Sequence, residues 1–319
     1  MNPPAETPAA ADVAFISHFI SAQDGLKLHV REYGRSTKAR LPVVCLPGLS
    51  RNSADFHVLA MELVRSQERR VLALDYRGRG RSEHDPNPAN YNPAVEAGDV
   101  MTVLTALEVD SAVFVATSRG GILTMLLATL RPSLISGAVL NDIGPVIEPA
   151  GLLRIKSYIG KAPRMNSLEQ AADHLQSLFG AHFPLLDREH WLAQAQRSFQ
   201  SVNGRLQPTY DLALARSLGN VPADGVLPPL WNQFEPLAAH PLLVIRGSNS
   251  DILSPATAQA MQARRKDMQI LEVPDQGHPP SLDDKETIER IAAFIAACEP
   301  RRGLTALPAL EEKRTFATL

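Results

Sequence analysis

Four short runs of unbroken apolar character, Pro42 to Leu46, Val71 to Leu74, Ala112 to Ala116 and Ala138 to Leu140, alternate with stretches of helical spacing at roughly Ser53 to Arg65, Pro93 to Leu107 and Gly121 to Leu130. A strand that is apolar at every position has no face to give to water. Such strands are buried on both sides, which calls for a parallel sheet with helices over each face. The alternation stops near Pro145 and resumes at Pro241-Leu242-Leu243-Val244-Ile245, followed by a helix near Pro255 to Lys266, a strand at Met268 to Val273 and a last helix from about Lys285 to Ala297. Ahead of it, Phe19 to Ala22 and Leu26 to Val30 flank Asp24-Gly25, a hairpin turn pair that predicts an antiparallel opening. The expectation is an α/β protein with a mostly parallel, eight-stranded sheet flanked by helices.

The interval 146–240 reads differently: it carries amphipathic stretches such as Leu152, Leu153, Ile155 and Ile159, and both tryptophans, Trp191 and Trp231. It is expected to be a helical cap inserted into a core formed by 18–145 and 241–299, with a frayed start over 1–17 and a peripheral tail over 300–319. At 319 residues and 45% hydrophobic content the chain can bury a large core. The balance of 32 basic against 34 acidic residues argues against a nucleic-acid or anionic-membrane surface. No segment approaches the length of a membrane span and the first residues lack a secretory pattern, so a cytoplasmic monomer or homodimer acting on a small molecule is expected. Cys45 and Cys298 are far apart in apolar contexts, which suits two buried free thiols.

Chemistry enters at Ala116-Thr117-Ser118-Arg119-Gly120-Gly121, between a predicted strand and a predicted helix. A serine hydroxyl becomes a useful nucleophile when a fold exposes it, a base takes its proton and N–H donors receive the oxyanion formed by its attack. The small residues at 116, 120 and 121 allow the tight turn that exposes Ser118. Two further strand ends supply the partners. Asp251 follows Ile245-Arg246-Gly247-Ser248-Asn249-Ser250, and His278 follows Val273-Pro274-Asp275-Gln276-Gly277. Reacting groups in parallel sheets gather at strand carboxyl ends, where all three fall. For the oxyanion, Arg119 offers the N–H after the nucleophile, and the loop Cys45-Leu46-Pro47-Gly48-Leu49-Ser50 offers the N–H of Leu49.

The order Ser, Asp, His, together with Asp75-Tyr76-Arg77-Gly78-Arg79-Gly80-Arg81-Ser82, resembles the α/β-hydrolase superfamily and its D-x-R-G-x-G-x-S segment, over about Gly25 to Ala297. Within it the chain resembles the branch of capped esterases, lactonases and carbon-carbon bond hydrolases. Two departures are visible: Pro47 stands where many members have His, and Ala116 replaces the first glycine of the elbow. Neither removes a backbone donor or a reacting group. The resemblance implies Ser118 as nucleophile, His278 as base and Asp251 as acid, with Asp142, in Asn141-Asp142-Ile143-Gly144-Pro145, as the alternative acid, because some members place the carboxylate at that earlier strand end.

The activity so implied is cleavage of a small or medium carboxylic ester through an acyl-enzyme. A lactonase or carbon-carbon bond hydrolase of aromatic catabolism would use the same residues, and a ligand receptor on a hydrolase scaffold is the alternative from outside enzymology. Arg154, Arg164 and Trp231 are candidates for substrate contact, and the Arg119 side chain could hold a carboxylate or make a structural ion pair. No cofactor or metal is expected, since Gly78-Arg79-Gly80 lacks the nucleotide-binding spacings and no Cys/His ligand cluster is present.

Overall fold

The computed structural model describes residues 14–37 and 39–299. In chain order its first half runs β1 (Ile16–Ser21), β2 (Lys27–Tyr33), β3 (Val43–Leu46), α1 (His57–Gln67), β4 (Val71–Leu74), α2 (Pro93–Ala106), β5 (Ala112–Thr117), α3 (Arg119–Leu130) and β6 (Ile135–Asn141). Next come α4 (Pro149–Tyr158), α5 (Leu168–Phe179), α6 (Arg188–Ser198), β7 (Phe199–Val202), β8 (Arg205–Pro208) and α7 (Trp231–Phe234). The chain closes with β9 (Leu242–Gly247), α8 (Pro255–Arg264), β10 (Gln269–Val273) and α9 (Lys285–Ala297).

Eight strands form one sheet in the order β1-β2-β4-β3-β5-β6-β9-β10. The hairpin β1–β2 joins the rest by antiparallel pairing to β4, and every other pair is parallel. The reason is visible residue by residue. Val44, Leu46, Leu72, Leu74, Phe114 and Ala116 point to the face covered by α2 and α3, while Val43, Cys45, Val71, Ala73, Val113 and Val115 point to the face covered by α1 and α9. With both faces dry, the central strands β3, β4 and β5 are apolar along nearly their whole length.

Two boundaries differ from expectation. β1 begins at Ile16, inside the stretch expected to be frayed, because Ile16 pairs with Glu32 across the hairpin. β6 extends to Asn141, which sets Asp142 directly at a strand end. The expectations for residues 1–13 and 300–319 lie outside the described residues.

The chain between β6 and β9 builds a small core of its own, in which Ala171, Ala172 and Leu175 of α5 meet Trp191 and Ala195 of α6. It is not helical throughout. β7 and β8 form an antiparallel hairpin whose turn, Asn203-Gly204, takes positive φ at both residues, the backbone a tight two-residue turn requires. No helix among the described residues is long and apolar enough to cross a membrane.

Candidate active site

Ser118 sits between β5 and α3 with φ 50° and ψ −109°, a region that a side chain other than glycine enters only when its surroundings force it. Those surroundings are specific. The Ser118 N–H donates to Asn141 O at 3.0 Å, and the Ser118 carbonyl accepts from Gly121 N at 2.9 Å, so the residue is held between the end of β6 and the first turn of α3. A Cβ on Gly120 would stand 2.3 Å from Leu46 O, and one on Gly121 would stand 2.3 Å from Ile143 Cγ2. The two glycines let α3 start close against β3 and the loop after β6.

Ser118 Oγ lies 2.9 Å from His278 Nε2, and the other ring nitrogen, Nδ1, lies 2.8 Å from Asp142 Oδ2. A carboxylate can only accept here, so Nδ1 carries the proton and Nε2 presents a lone pair to the serine hydroxyl. Asp142 is fully buried. Its Oδ1 accepts from Gly247 N at 2.9 Å, and its Oδ2 also accepts from Ser250 Oγ at 2.5 Å. The His278 loop is tied down separately, through Asn141 Nδ2 donating to Pro280 O at 3.0 Å.

The structure therefore corrects the expected carboxylate. Asp251 is not the partner of His278; its two oxygens take a forked pair of bonds from Arg154 Nε and Nη2 at 2.6 and 2.7 Å. Burial pushes the Asp251 carboxyl up, but the Arg154 bonds and charge outweigh it and leave the group below its ordinary range. The strand register explains the exchange. β6 and β9 are adjacent and parallel, so the loops after them sit side by side, and either can supply a carboxylate to one imidazole. Asn141-Asp142 was a usable signal, as a polar pair closing an apolar strand. Ser250 and Asn141 were missed as supports, and nothing short of the fold points to them.

The two expected oxyanion donors face no competing acceptor: among the described residues neither the Leu49 N–H nor the Arg119 N–H has a hydrogen-bond partner. The Gly48 to Leu49 peptide is fixed by its neighbours. Its own carbonyl accepts from Arg51 N at 3.2 Å, which turns the Leu49 N–H the opposite way in a trans peptide. The flanking peptides are pinned by Tyr76 OH to Pro47 O at 3.1 Å and by Arg79 Nε to Leu49 O at 2.9 Å. Thus the segment 75–82 is the bed of the Leu49 loop. A Cβ on Gly48 would sit 3.9 Å from the Ser118 Cβ, which measures how near that loop lies.

A cavity of about 740 Å³ opens over Ser118 and His278. Leu49, Phe56, Ile155, Tyr158, Phe179 and Trp191 make most of it apolar. Burial pushes the Tyr158 hydroxyl up to about 12, so it stays a neutral donor. The expected substrate contacts are elsewhere. Arg154 is engaged by Asp251, and Arg164 is exposed outside the cavity. Trp231 packs edge-on against Phe234, with the Arg264 guanidinium 3.9 Å over its ring. The Arg119 side chain turns away to Glu96 at 2.7 Å, which makes it a structural ion pair. The arginines that do line the cavity, Arg51 and Arg197, carried no motif to mark them.

A second Ser-His-Asp string shows what geometry alone does not provide. Ser17 Oγ lies 3.0 Å from His29 Nε2, and His29 Nδ1 lies 2.7 Å from Asp75 Oδ2. Ser17 lies within a strand and outside the cavity, and its oxygen already accepts from Arg81. Asp75 is spent on the Ser53 and Arg81 N–H groups, so the string is a scaffold under the loop after β4.

The same fold and family emerge from comparison with other proteins. The alpha/beta hydrolase family profile matches residues 43–290. A 3-hydroxybutyrate-oligomer hydrolase of Cupriavidus necator is 32% identical over 280 residues, 84% of this chain and 92% of that one. A 2-(acetamidomethylene)succinate hydrolase of Mesorhizobium japonicum is 26% identical, over 90% of this chain and 99% of that one. A crystal structure of an alpha/beta hydrolase from Novosphingobium aromaticivorans superposes with a TM-score of 0.83 at 37% identity, covering 90% of this chain and 99% of that one. The chain belongs to the alpha/beta hydrolase family and is a hydrolase.

Proposed function

We propose that the protein is a serine hydrolase of medium-sized carboxylic esters, working through Ser118, His278 and Asp142. The observation that carries this reading is the hydrogen-bonded string from Ser118 Oγ through both nitrogens of His278 to a buried Asp142, with the serine on the wall of the cavity. Ser118 Oγ attacks the ester carbonyl as its proton passes to His278 Nε2, and Asp142 holds the imidazolium that results. The N–H groups of Leu49 and Arg119 receive the oxyanion. His278 then gives its proton to the leaving alkoxide, and the acyl-enzyme is hydrolysed by a water that His278 deprotonates in turn.

The substrate reading follows from size and kinship. A cavity of about 740 Å³ is far larger than an acetyl ester needs and lies in the range of sites that enclose whole ligands. The Cupriavidus relative acts on oligomers of a hydroxy acid, which are joined by ester bonds. Esters of short hydroxy-acid chains are accordingly the first substrates to try.

The test is turnover of p-nitrophenyl acetate, butyrate and octanoate and of 3-hydroxybutyrate dimer and trimer, by the wild type and by Ser118→Ala. Turnover is expected to fall by about 10⁴-fold or more in the variant. Phenylmethanesulfonyl fluoride should sulfonylate Ser118 alone, releasing fluoride and leaving the phenylmethanesulfonyl group on Oγ in place of its proton. Absence of any serine-dependent ester turnover would sink the reading.

A further inference from the structure

We propose that Asp251 and Arg154 form a positioning pair that sets the cavity wall and, through it, the length of acyl chain accepted. The inference rests on the ester-hydrolase reading for the name of the substrate, and on the geometry for everything else.

The pair joins two parts of the chain that must meet correctly for the cavity to have its shape. α4 begins directly on the loop after β9: Glu148 N donates to Ile252 O at 3.0 Å, and Gly151 N donates to Asp251 O at 3.1 Å. A Cβ on Gly151 would stand 2.3 Å from that same Asp251 oxygen, so only glycine permits the approach. One turn later Arg154 returns to the loop and closes the fork on the Asp251 carboxylate.

From Arg154 the contact continues to the cavity. The guanidinium stands 5.8 Å from the centre of the Phe179 ring, on α5, and Phe179 meets Tyr158 of α4 edge-to-face at 5.3 Å. Phe179 and Tyr158 line the cavity, whereas Arg154 and Asp251 do not. A carboxylate at the end of β9 thus fixes a cation, the cation fixes an aromatic ring, and that ring and its neighbour form the wall. A planar fork bound at both nitrogens, with an aromatic ring within cation–π reach, holds orientation in a way a single contact does not. Asp251 acts on the wall and has no direct part in the chemistry.

The test uses the full chain with Asp251→Asn, Arg154→Met and the double variant, on p-nitrophenyl esters from acetate to octanoate. Both single variants are expected to keep kcat on acetate within about twofold and to shift the octanoate-to-acetate ratio of kcat/KM by about 10-fold. The double variant should shift it no further, since either change breaks the same link. Lys156→Met, on the same helix but outside the link, loses one bond to Val221 O and should leave the ratio unchanged. A fall of about 10³-fold in acetate kcat for Asp251→Asn would place the residue with His278 and overturn the proposal. An unchanged ratio in both single variants would overturn it as well. If the wild type turned over no ester, Trp191 fluorescence on titration with carboxylates from butyrate to octanoate would still read the wall: a chain-length dependence of Kd identical in wild type and Asp251→Asn would refute the role independently of the ester reading.

Discussion

His278 Nδ1 and Asp142 Oδ2 are 2.8 Å apart, and that bond decides which of two neighbouring strand ends orients the imidazole. Asp142→Asn can still accept from Gly247 N through its remaining oxygen, so the fold around it has a reason to survive. The new amide group faces Nδ1 as a donor and drives the ring into the wrong tautomer. We expect kcat to fall by about 10⁴-fold in Asp142→Asn. Asp251→Asn should keep kcat on p-nitrophenyl acetate within about twofold. Equal losses in the two variants, at matched thermal stability, would contradict the assignment.

Gly120 is the residue that lets the elbow close. Its missing side chain faces Leu46 O, a backbone atom in the middle of the sheet that cannot step aside. Gly121 faces the Ile143 side chain, which can rotate. Gly120→Ala is therefore expected to cost about 2–4 kcal/mol of stability, and Gly121→Ala less, in denaturant titrations. The reverse order would mean that β3 yields more easily than Ile143.

Much of this was legible before any fold existed, because it depends on pattern. Runs such as Val43 to Leu46 and Val71 to Leu74 announce strands buried on both faces; Ser118 directly follows such a strand, β5, and His278 lies in the loop after the edge strand β10. What failed to show is whatever depends on which loops become neighbours. Asp142 and Asp251 close adjacent parallel strands, and one sequence cannot say which carboxylate meets the ring and which meets Arg154. The wall contacts Phe179 and Tyr158 escaped for the same reason, since each lies on an amphipathic helix whose apolar face serves packing and cavity alike. The β7–β8 hairpin is a different case. Asn203-Gly204 was a plain turn signal hidden by the helical character of the residues before it.

Cys45 and Cys298 are both buried and unpaired. Burial raises both thiols, that of Cys298 to about 11 and that of Cys45 beyond it, so neither supplies much thiolate at neutral pH. In the native protein, Ellman's reagent is expected to titrate neither thiol rapidly, and both should react once guanidinium unfolds the chain. Both lie in the core under α1 and α9, so fast reaction of one thiol in the native state would show that this layer opens near it, and mass mapping would say which thiol reacts.

The Asp251–Arg154 pair also has a pH signature. In the folded chain the Asp251 carboxyl lies below its ordinary value of 3.8, since the Arg154 bonds and charge, helped by His182 and His278, outweigh the effect of burial. The unfolded chain therefore binds the proton first as pH falls, and the stabilisation present above 3.8 is lost as pH passes below it. Arg154 stays cationic throughout. Other carboxylates titrate over the same range, so the comparison that isolates this one is wild type against Asp251→Asn. The difference in Tm between them should be constant from neutral pH to about pH 5 and narrow progressively below 3.8. A difference that stays constant to pH 2.5 would mean that the carboxylate charge contributes nothing and that only the shape of the side chain holds α4 on the loop.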